Sequence, residues 1–321
     1  MTSPLAVIGG AGFIGTRLVR RLLRAGREVR ILDIRPSREF ASLTTRVDVC
    51  DRPALRRALE GAGAIVNLAA EHADDVRPVS RYYEVNVGGA ENICAVAEQH
   101  GIERILFTST VAVYGFSEAE VDEEGPLRPF NHYGRSKLQA EQVFARWQAA
   151  GPARTLVTVR PTVVFGEDNR GNVYNLLRQI SSGHFVMVGA GRNRKSMAYV
   201  ENVAAFLEHV LKLPPGQHCF NYADKPDFDM NGLISLVRAA LGRHRPPLRI
   251  PYPLGLLAGY MFDAASRVTG IQTPVSAIRV RKFCANTRFA AERMRQTGFV
   301  PPVPLEEGLR RTIASEFGAS S

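Results

Sequence analysis

A glycine-rich turn near the start of the chain limits the possible folds more than any other feature. Residues 9–15 contain four glycines between the apolar run Leu5–Ile8 and a segment, 13–23, with helical apolar spacing. A second apolar run, 28–32, follows and ends in Asp33. This order predicts a strand, a tight turn, a helix and a second parallel strand. Backbone N–H groups at the start of such a helix can bind a pyrophosphate.

Asp33 indicates which dinucleotide binds. It lies about twenty residues beyond the glycines, where a carboxylate accepts hydrogen bonds from the adenosine ribose and repels a 2′-phosphate. We therefore expect NAD as the cofactor, with NADP left open by Arg35 close by. The predicted contacts in and beside the turn are Gly9, Gly12, Phe13, Ile14 and Gly15.

Further cofactor contacts are predicted where the next strands end. Residues 45–49 and 64–68 have the apolar character of two more buried strands. Asp48 could meet the adenine amino group, whereas Asp51 could equally cap a helix beginning near Pro53. The contacts predicted in this region are Asp48, Val49, Ala69 and Asn86, with Asn86 at the opening of a helix that reaches residue 99.

The residues that can carry chemistry follow a fifth predicted strand, 105–108. Tyr133 and Lys137 are four residues apart on a predicted helix and so share one face. A tyrosine with a pKa of about 10 is a poor base near neutral pH. An adjacent ammonium group and a cationic nicotinamide favour its phenolate form.

These motifs together resemble the extended short-chain dehydrogenase/reductase family, in its sugar epimerase and dehydratase branch. The resemblance is carried by the glycine turn, Asp33, Asn86, Thr110, the Tyr133/Lys137 pair and residues 160–166. It implies that Tyr133 is the acid/base, and that Lys137 holds the nicotinamide ribose and lowers the tyrosine pKa. Thr110 would hydrogen-bond the reacting sugar hydroxyl. Pro161 is expected at the cofactor and Ser109 beside the substrate.

Two departures from the family patterns separate its branches. The 4,6-dehydratases carry Asp-Glu directly after the catalytic Thr, where this chain has Val111 and Ala112, so dehydration is not expected. Epimerases and NAD(P)H-dependent 4-ketoreductases need no such acids, and both remain possible. The Arg-x-Gly-Asp segment with which nucleotide-sugar epimerases grip a diphosphate is absent, which weakens the alternative of a UDP-sugar 4-epimerase.

The second half of the chain is expected to bind the substrate. Cations at residues 192–195 suit a diphosphate, although a solvated loop is the alternative. The chain also resembles the bacterial 4-epimerases that act on N-acetylglucosamine joined by diphosphate to undecaprenol, in surface polysaccharide (O-antigen) biosynthesis. This resemblance is carried by residues 71–72, 131–133, 169–175, the apolar stretch 251–262 and residues 281–284. The predicted substrate contacts are Ser109, Glu71, His72, Asn131, Asn172, Arg192, Lys195 and Arg281.

Charge and hydropathy limit the possible partners. The formal net charge is +10, but the arginines are dispersed and no nucleic-acid module is recognisable, so nucleic acid is not expected. The apolar stretch 251–262 is too short to span a bilayer, yet with basic neighbours it could lie on an anionic surface or else pack in the core. We expect a cytoplasmic protein that works at the inner face of the cell membrane. The cysteines have no metal-binding spacing, so no metal is expected.

The predicted fold is α/β, a doubly wound parallel sheet of the Rossmann type with a smaller mixed α/β C-terminal lobe for substrate. Residues 1–166 would form the NAD-binding domain, to which 197–222 returns, and 167–321 mainly the substrate lobe. The family resemblance also implies a homodimer through the helices around Asn92 and Gln139.

Overall fold

The structure is a computed structural model that describes residues 3–73, 76–183, 185–242, 246–269 and 276–318. Its strands are β1 (Leu5–Ile8), β2 (Val29–Asp33), β3 (Thr44–Arg46), β4 (Ala64–Asn67), β5 (Arg104–Thr108), β6 (Thr155–Pro161), β7 (Val163–Phe165), β8 (Val186–Val188), β9 (Arg194–Tyr199), β10 (Gly216–Tyr222), β11 (Asp224–Asp229) and β12 (Leu248–Ile250). Its helices are α1 (Phe13–Arg24), α2 (Arg52–Ala58), α3 (Ser80–Tyr83), α4 (Gly89–Gln99), α5 (His132–Ala149), α6 (Asn172–Ser181), α7 (Val200–Val210), α8 (Met230–Ala240), α9 (Tyr252–Thr269), α10 (Ala277–Cys284), α11 (Glu292–Gln296) and α12 (Leu305–Phe317).

A seven-stranded sheet in the order β10-β6-β5-β4-β1-β2-β3 forms the main layer, and every neighbouring pair in it is parallel. Alternate residues of β1 serve opposite faces. Leu5 and Val7 join a core that contains residues of α1 and α7, whereas Ala6 and Ile8 join a core that contains residues of α2, α4 and α5. Helices therefore cover both faces, which confirms the predicted doubly wound sheet.

The smaller lobe is built on two further sheets. One has the order β11-β9-β7, with β9 antiparallel to β11 and parallel to β7, and the other pairs β12 with β8. A third core lies between these strands and helices α6, α8 and α12. The mixed α/β lobe expected from the sequence is thus present.

The chain crosses between the main sheet and the smaller lobe several times. Residues 197–199 belong to β9 and pair within the small sheet, so the return to the main sheet is made by α7 and β10. Within the described residues, no helix combines the length and apolarity needed to cross a bilayer.

Two predicted boundaries were wrong. The strand expected at 45–49 is β3, which ends at Arg46 because its partner β2 ends at Asp33, the residue paired with Arg46. The helix expected to open at Asn86 already begins at Ser80. Asn86 lies within a π-helical turn, Glu84–Gly88, that joins α3 to α4.

Candidate active site

The glycine turn closes tightly against its neighbours. Gly9 has φ +79°, and a Cβ there would lie 2.7 Å from the backbone nitrogen of Ala69. A Cβ on Gly15 would lie 2.4 Å from the carbonyl oxygen of Gly9. Gly12 precedes Phe13 and Ile14, the first residues of α1, and no side chain caps this helix. The helix N-terminus is thus available to an anion such as a pyrophosphate.

The carboxylate of Asp33 is held beside this turn. Its Oδ2 accepts a hydrogen bond from the backbone N–H of Ala11 at 3.1 Å, and its Oδ1 accepts one from the backbone N–H of Arg35 at 3.0 Å. Asp33 ends β2 and is buried. The sequence-predicted ribose ligand therefore lies at the carboxyl edge of the sheet, next to the glycines.

The other predicted cofactor residues lie along loops that leave the same edge. Ala69 follows β4 and Pro161 ends β6. Val49 is buried, and its carbonyl accepts a hydrogen bond from Asn92 at 2.9 Å. Asp48 accepts a hydrogen bond from the backbone of Cys50, so its carboxylate shapes this loop.

Three predicted catalytic residues meet where β5 ends. Thr110 lies two residues beyond β5, and its hydroxyl is hydrogen-bonded to that of Tyr133 on α5. Lys137, one turn further along α5, donates from Nζ to the carbonyl oxygen of Thr108 at 2.6 Å. Its ammonium group also lies 4.2 Å from the ring centre of Phe107.

Burial moves the pKa values of these two groups in opposite directions. Desolvation raises the pKa of Tyr133 to about 12, and the hydrogen bond with Thr110 acts against that rise. Desolvation lowers the pKa of Lys137, which is 2% exposed, to about 7, and the negative charge of Glu141 acts against that fall. Lys137 can therefore gain or lose its proton near neutral pH.

Asn86 ties the catalytic helix to the loop after β4. Its Nδ2 donates to the hydroxyl of Ser136 at 2.8 Å and to the carbonyl of Glu71 at 3.0 Å. Its Oδ1 accepts from the backbone N–H of Glu71 at 2.9 Å. The side chain that the sequence assigns to the cofactor thus also positions α5.

Several buried hydroxyls at this edge have no partner within the described part of the chain: Thr108 Oγ1, Ser109 Oγ and Thr162 Oγ1. Buried hydroxyl groups are normally hydrogen-bonded, so unpaired ones at the mouth of a site indicate where a ligand can bind. Together with the open helix N-terminus and Asp33, they fit a nicotinamide dinucleotide.

Two of the predicted substrate residues have structural partners. Asn131 is the N-cap of α5, where its Oδ1 accepts a hydrogen bond from Gly134 at 2.8 Å. His72 is exposed, and its backbone N–H donates to Glu71 Oε1 at 3.2 Å. Both lie on segments that border the catalytic helix.

A cavity of about 520 Å³ opens in the second lobe. Residues 188–193, α9 and α10 form its walls, and Arg192 and Arg281 bring two cations to it. Asn172 is exposed in the first turn of α6 and does not line this cavity. The structure therefore places two of the predicted substrate cations together and Asn172 apart from them.

Lys195 acts at the end of α10. Its Nζ donates to the carbonyl oxygens of Lys282 at 3.0 Å and Ala285 at 2.6 Å. Burial lowers the pKa of this lysine to about 8. These hydrogen bonds of Lys195 hold the end of α10 against β9. The contact of Lys195 with the substrate stays a prediction.

Sequence reasoning missed the ion pair beneath the catalytic helix. Arg160 donates to both carboxylate oxygens of Glu141, at 2.9 and 2.6 Å, and also to the hydroxyl of Tyr114. Glu141 continues the spacing of Tyr133 and Lys137 along α5, which indicates that it shares their helix face but does not identify Arg160 as its partner.

Comparisons with known proteins agree with this geometry. Residues 5–222 match the model of the "NAD dependent epimerase/dehydratase family". The N-acetyl-α-D-glucosaminyl-diphospho-ditrans,octacis-undecaprenol 4-epimerase of Escherichia coli O157:H7 is 49% identical over 319 residues, which cover 99% of this chain and 96% of that protein.

Solved structures share the fold at lower identity. The UDP-glucose 4-epimerase of Thermus thermophilus, in complex with NAD, superposes with a TM-score of 0.76 at 22% identity and covers 98% of this chain and 99% of its own. The UDP-glucuronic acid 4-epimerase of Bacillus cereus, also with NAD, gives 0.76 at 17% identity and 98% coverage of each chain.

Proposed function

This chain belongs to the NAD-dependent epimerase/dehydratase family, and on that premise we propose that it is a sugar 4-epimerase. Its substrate is N-acetylglucosamine joined by diphosphate to undecaprenol, and its product is the corresponding N-acetylgalactosamine lipid. The observation that carries the proposal is the 49% identity to the Escherichia coli enzyme over nearly the whole of both chains.

Tyr133 performs the proton transfers of this reaction. Its phenolate takes the proton from the sugar O4 as C4 is oxidised, and it returns that proton when the 4-keto sugar is reduced on its other face. The glycine turn and Asp33 would hold NAD, which when bound would supply the hydride acceptor and donor for C4. Because the oxidation and the reduction both use Tyr133, the sugar ring must turn over within the cleft between these two steps.

Thr110 and Lys137 support that tyrosine. The Thr110 hydroxyl bonds the phenol and can share its hydrogen bond with the sugar O4. Protonated Lys137 places a positive charge one helical turn from Tyr133, which favours the phenolate. We assign the hydroxyls of the adenosine ribose to Asp33 and those of the nicotinamide ribose to Lys137.

The diphosphate of the substrate binds in the cavity of the second lobe. Arg192 and Arg281 line this cavity, and guanidinium groups suit phosphate oxygens because they donate two parallel hydrogen bonds. In this arrangement residues 1–166, with α7 and β10, hold the cofactor, and most of the remaining chain holds the substrate.

We further assign the enzyme to the cytoplasmic face of the membrane, in surface polysaccharide (O-antigen) biosynthesis. A lipid-linked substrate is carried there, and the basic excess of the chain suits an anionic membrane surface. We also propose a homodimer through α4 and α5, near Asn92 and Gln139. A solution mass of twice 35.3 kDa tests this assembly.

The deciding experiment gives the purified protein N-acetylglucosamine on undecaprenyl diphosphate and, in parallel, on UDP. Product stereochemistry is then read by mass spectrometry and sugar analysis. We expect N-acetylgalactosamine on the lipid carrier. Conversion of the UDP sugar alone would instead identify a UDP-sugar 4-epimerase.

A further inference from the structure

Helix α9 presents large apolar side chains to solvent. Leu254, Leu257 and Met261 follow the spacing of one helix face, and the last two are 56% and 66% exposed. Six residues of this single helix have large apolar side chains that are exposed: Tyr252, Leu254, Leu257, Tyr260, Met261 and Phe262. Patches of this kind on a protein surface mark interaction sites.

The opposite face of α9 fixes the helix in this orientation. A Cβ on Gly255 would lie 2.4 Å from Cγ1 of Val188, and one on Gly259 would lie 2.8 Å from Cα of Ala277. Small residues therefore face the protein and large apolar residues face outward. This is the reverse of a normal amphipathic surface helix, which buries its large apolar side chains.

Two cations of α10 connect this exposed face of α9 with exposed aromatic residues of the other lobe. Arg281 hydrogen-bonds the hydroxyl of Tyr260, and the Lys282 ammonium lies 4.9 Å from the ring centre of Phe130. Phe130 stacks on Phe116 with ring centres 4.5 Å apart. Phe116 is 54% exposed, and Phe130 lies directly before the cap of the catalytic helix. We call this surface, from α9 to Phe116, the apolar rim.

Along α9 and α10, the charges beside the apolar rim are almost all positive. Between residues 252 and 284 the only acid in the sequence is Asp263, whereas the bases are Arg267, Arg279, Arg281 and Lys282. The Asp263 carboxylate accepts a hydrogen bond from the backbone of Ala277. A surface of apolar side chains bordered by cations is complementary to the anionic headgroups and acyl chains of a bilayer.

We propose that the apolar rim docks this enzyme on an anionic phospholipid bilayer through both lobes at once. Leu254, Leu257 and Met261 enter the acyl boundary from α9, and Phe116 and Phe130 enter it from the nucleotide lobe. Arg281 lines the diphosphate cavity and also touches the rim, so docking brings that cavity to the lipid–water interface. The inference rests on the proposed function, because it specifies the membrane surface for that site.

The test measures co-sedimentation of the whole protein with vesicles of phosphatidylglycerol and phosphatidylethanolamine, and with vesicles of phosphatidylcholine alone. We expect binding to the anionic vesicles that falls as salt is added. L257S/M261S and F116S/F130S should each weaken it at least tenfold. The control I34S/V300S removes two equally exposed apolar side chains elsewhere and should leave binding unchanged.

Three outcomes would overturn the docking proposal. The first is equal vesicle binding by all variants, and the second is no vesicle binding by the unaltered protein. The third is a smaller solution mass of L257S/M261S than of the unaltered protein. That result would identify the rim as an interface between copies of this chain. All variants should keep their activity on a short-chain diphosphate substrate in detergent. Vesicle binding needs no turnover, so a protein that binds vesicles but converts no lipid-linked sugar would contradict the proposed function alone.

Discussion

Burial shifts the pKa values of Tyr133 and Lys137 in the directions that favour their uncharged forms. The same burial that raises the phenol pKa to about 12 lowers the ammonium pKa to about 7. A phenolate at Tyr133 is therefore costly unless a positive charge lies nearby. This dependence explains why one helix carries both residues on one face.

Replacing Tyr133 by Phe should slow epimerisation by about 10²- to 10⁴-fold, since the general acid/base is lost while the ring is kept. NAD binding should persist, as measured by the cofactor that remains with the purified protein. Tyr83→Phe is the matched control, because it removes a hydroxyl that lies 3.0 Å from His132 Nδ1 outside the catalytic trio. An active Tyr133→Phe enzyme would show that another group moves the proton.

Lys137 should make stability depend on pH. Its pKa is about 7 in the folded protein and about 10.4 in the unfolded chain, so the unfolded state binds more protons between these values. The free energy of unfolding should therefore rise with pH in that window, relative to Lys137→Met. Urea titrations at the two ends of the window measure this difference. Lys212→Met, at an exposed lysine, is the matched control.

At the scale of single elements, the glycine turn leaves no room for a side chain at Gly15. Gly15→Ala would place a Cβ 2.4 Å from the carbonyl of Gly9, and the turn must open to accept it. We expect weaker NAD binding and a loss of about 1–3 kcal/mol in stability. Gly26→Ala, at the other end of α1, meets nothing within 4 Å and should keep NAD despite its positive φ. NAD affinity by calorimetry and thermal unfolding separate the two effects.

Local patterns predicted the elements whose partners are near in sequence. The turn, α1, Asp33 and the Tyr133/Lys137 face could be read directly because each depends on spacing within a few turns. The Arg160–Glu141 pair could not, because it joins β6 to α5 and only the packed sheet brings them together. The start of the helix before Asn86 was missed because its N-cap residue is Val79, whose side chain makes no capping hydrogen bond.

Helix α9 shows a second limit of prediction from local sequence patterns. Its apolar composition left core packing and surface exposure equally open. The positions of Gly255 and Gly259 decide between them, since these glycines pack closely against β8 and α10. A helical wheel with glycines on one face and leucines on the other contains this information, but only the structure says which face is buried.

At the scale of the whole molecule, the two lobes are interlocked by the path of the chain. Asp224, just after β10, accepts hydrogen bonds from the backbone of Tyr199 at 2.7 Å and from Asn202 at 3.0 Å. Asn202 in turn donates to the carbonyl of Val303 near α12. The cofactor edge and the substrate lobe are therefore joined by a buried polar junction, which keeps their relative position defined.

The proposed reaction leads to a prediction about the cofactor during turnover. Oxidation and reduction occur at the same carbon, so the proposed epimerisation leaves no net change in the cofactor. Protein purified with its bound NAD should convert many equivalents of lipid-linked sugar without added cofactor. The nicotinamide absorbance should then show no sustained drift while product accumulates. A 4-ketoreductase would instead consume NADH or NADPH in proportion to product, and that result would contradict the epimerase assignment even if the sugar lipid proved to be the substrate.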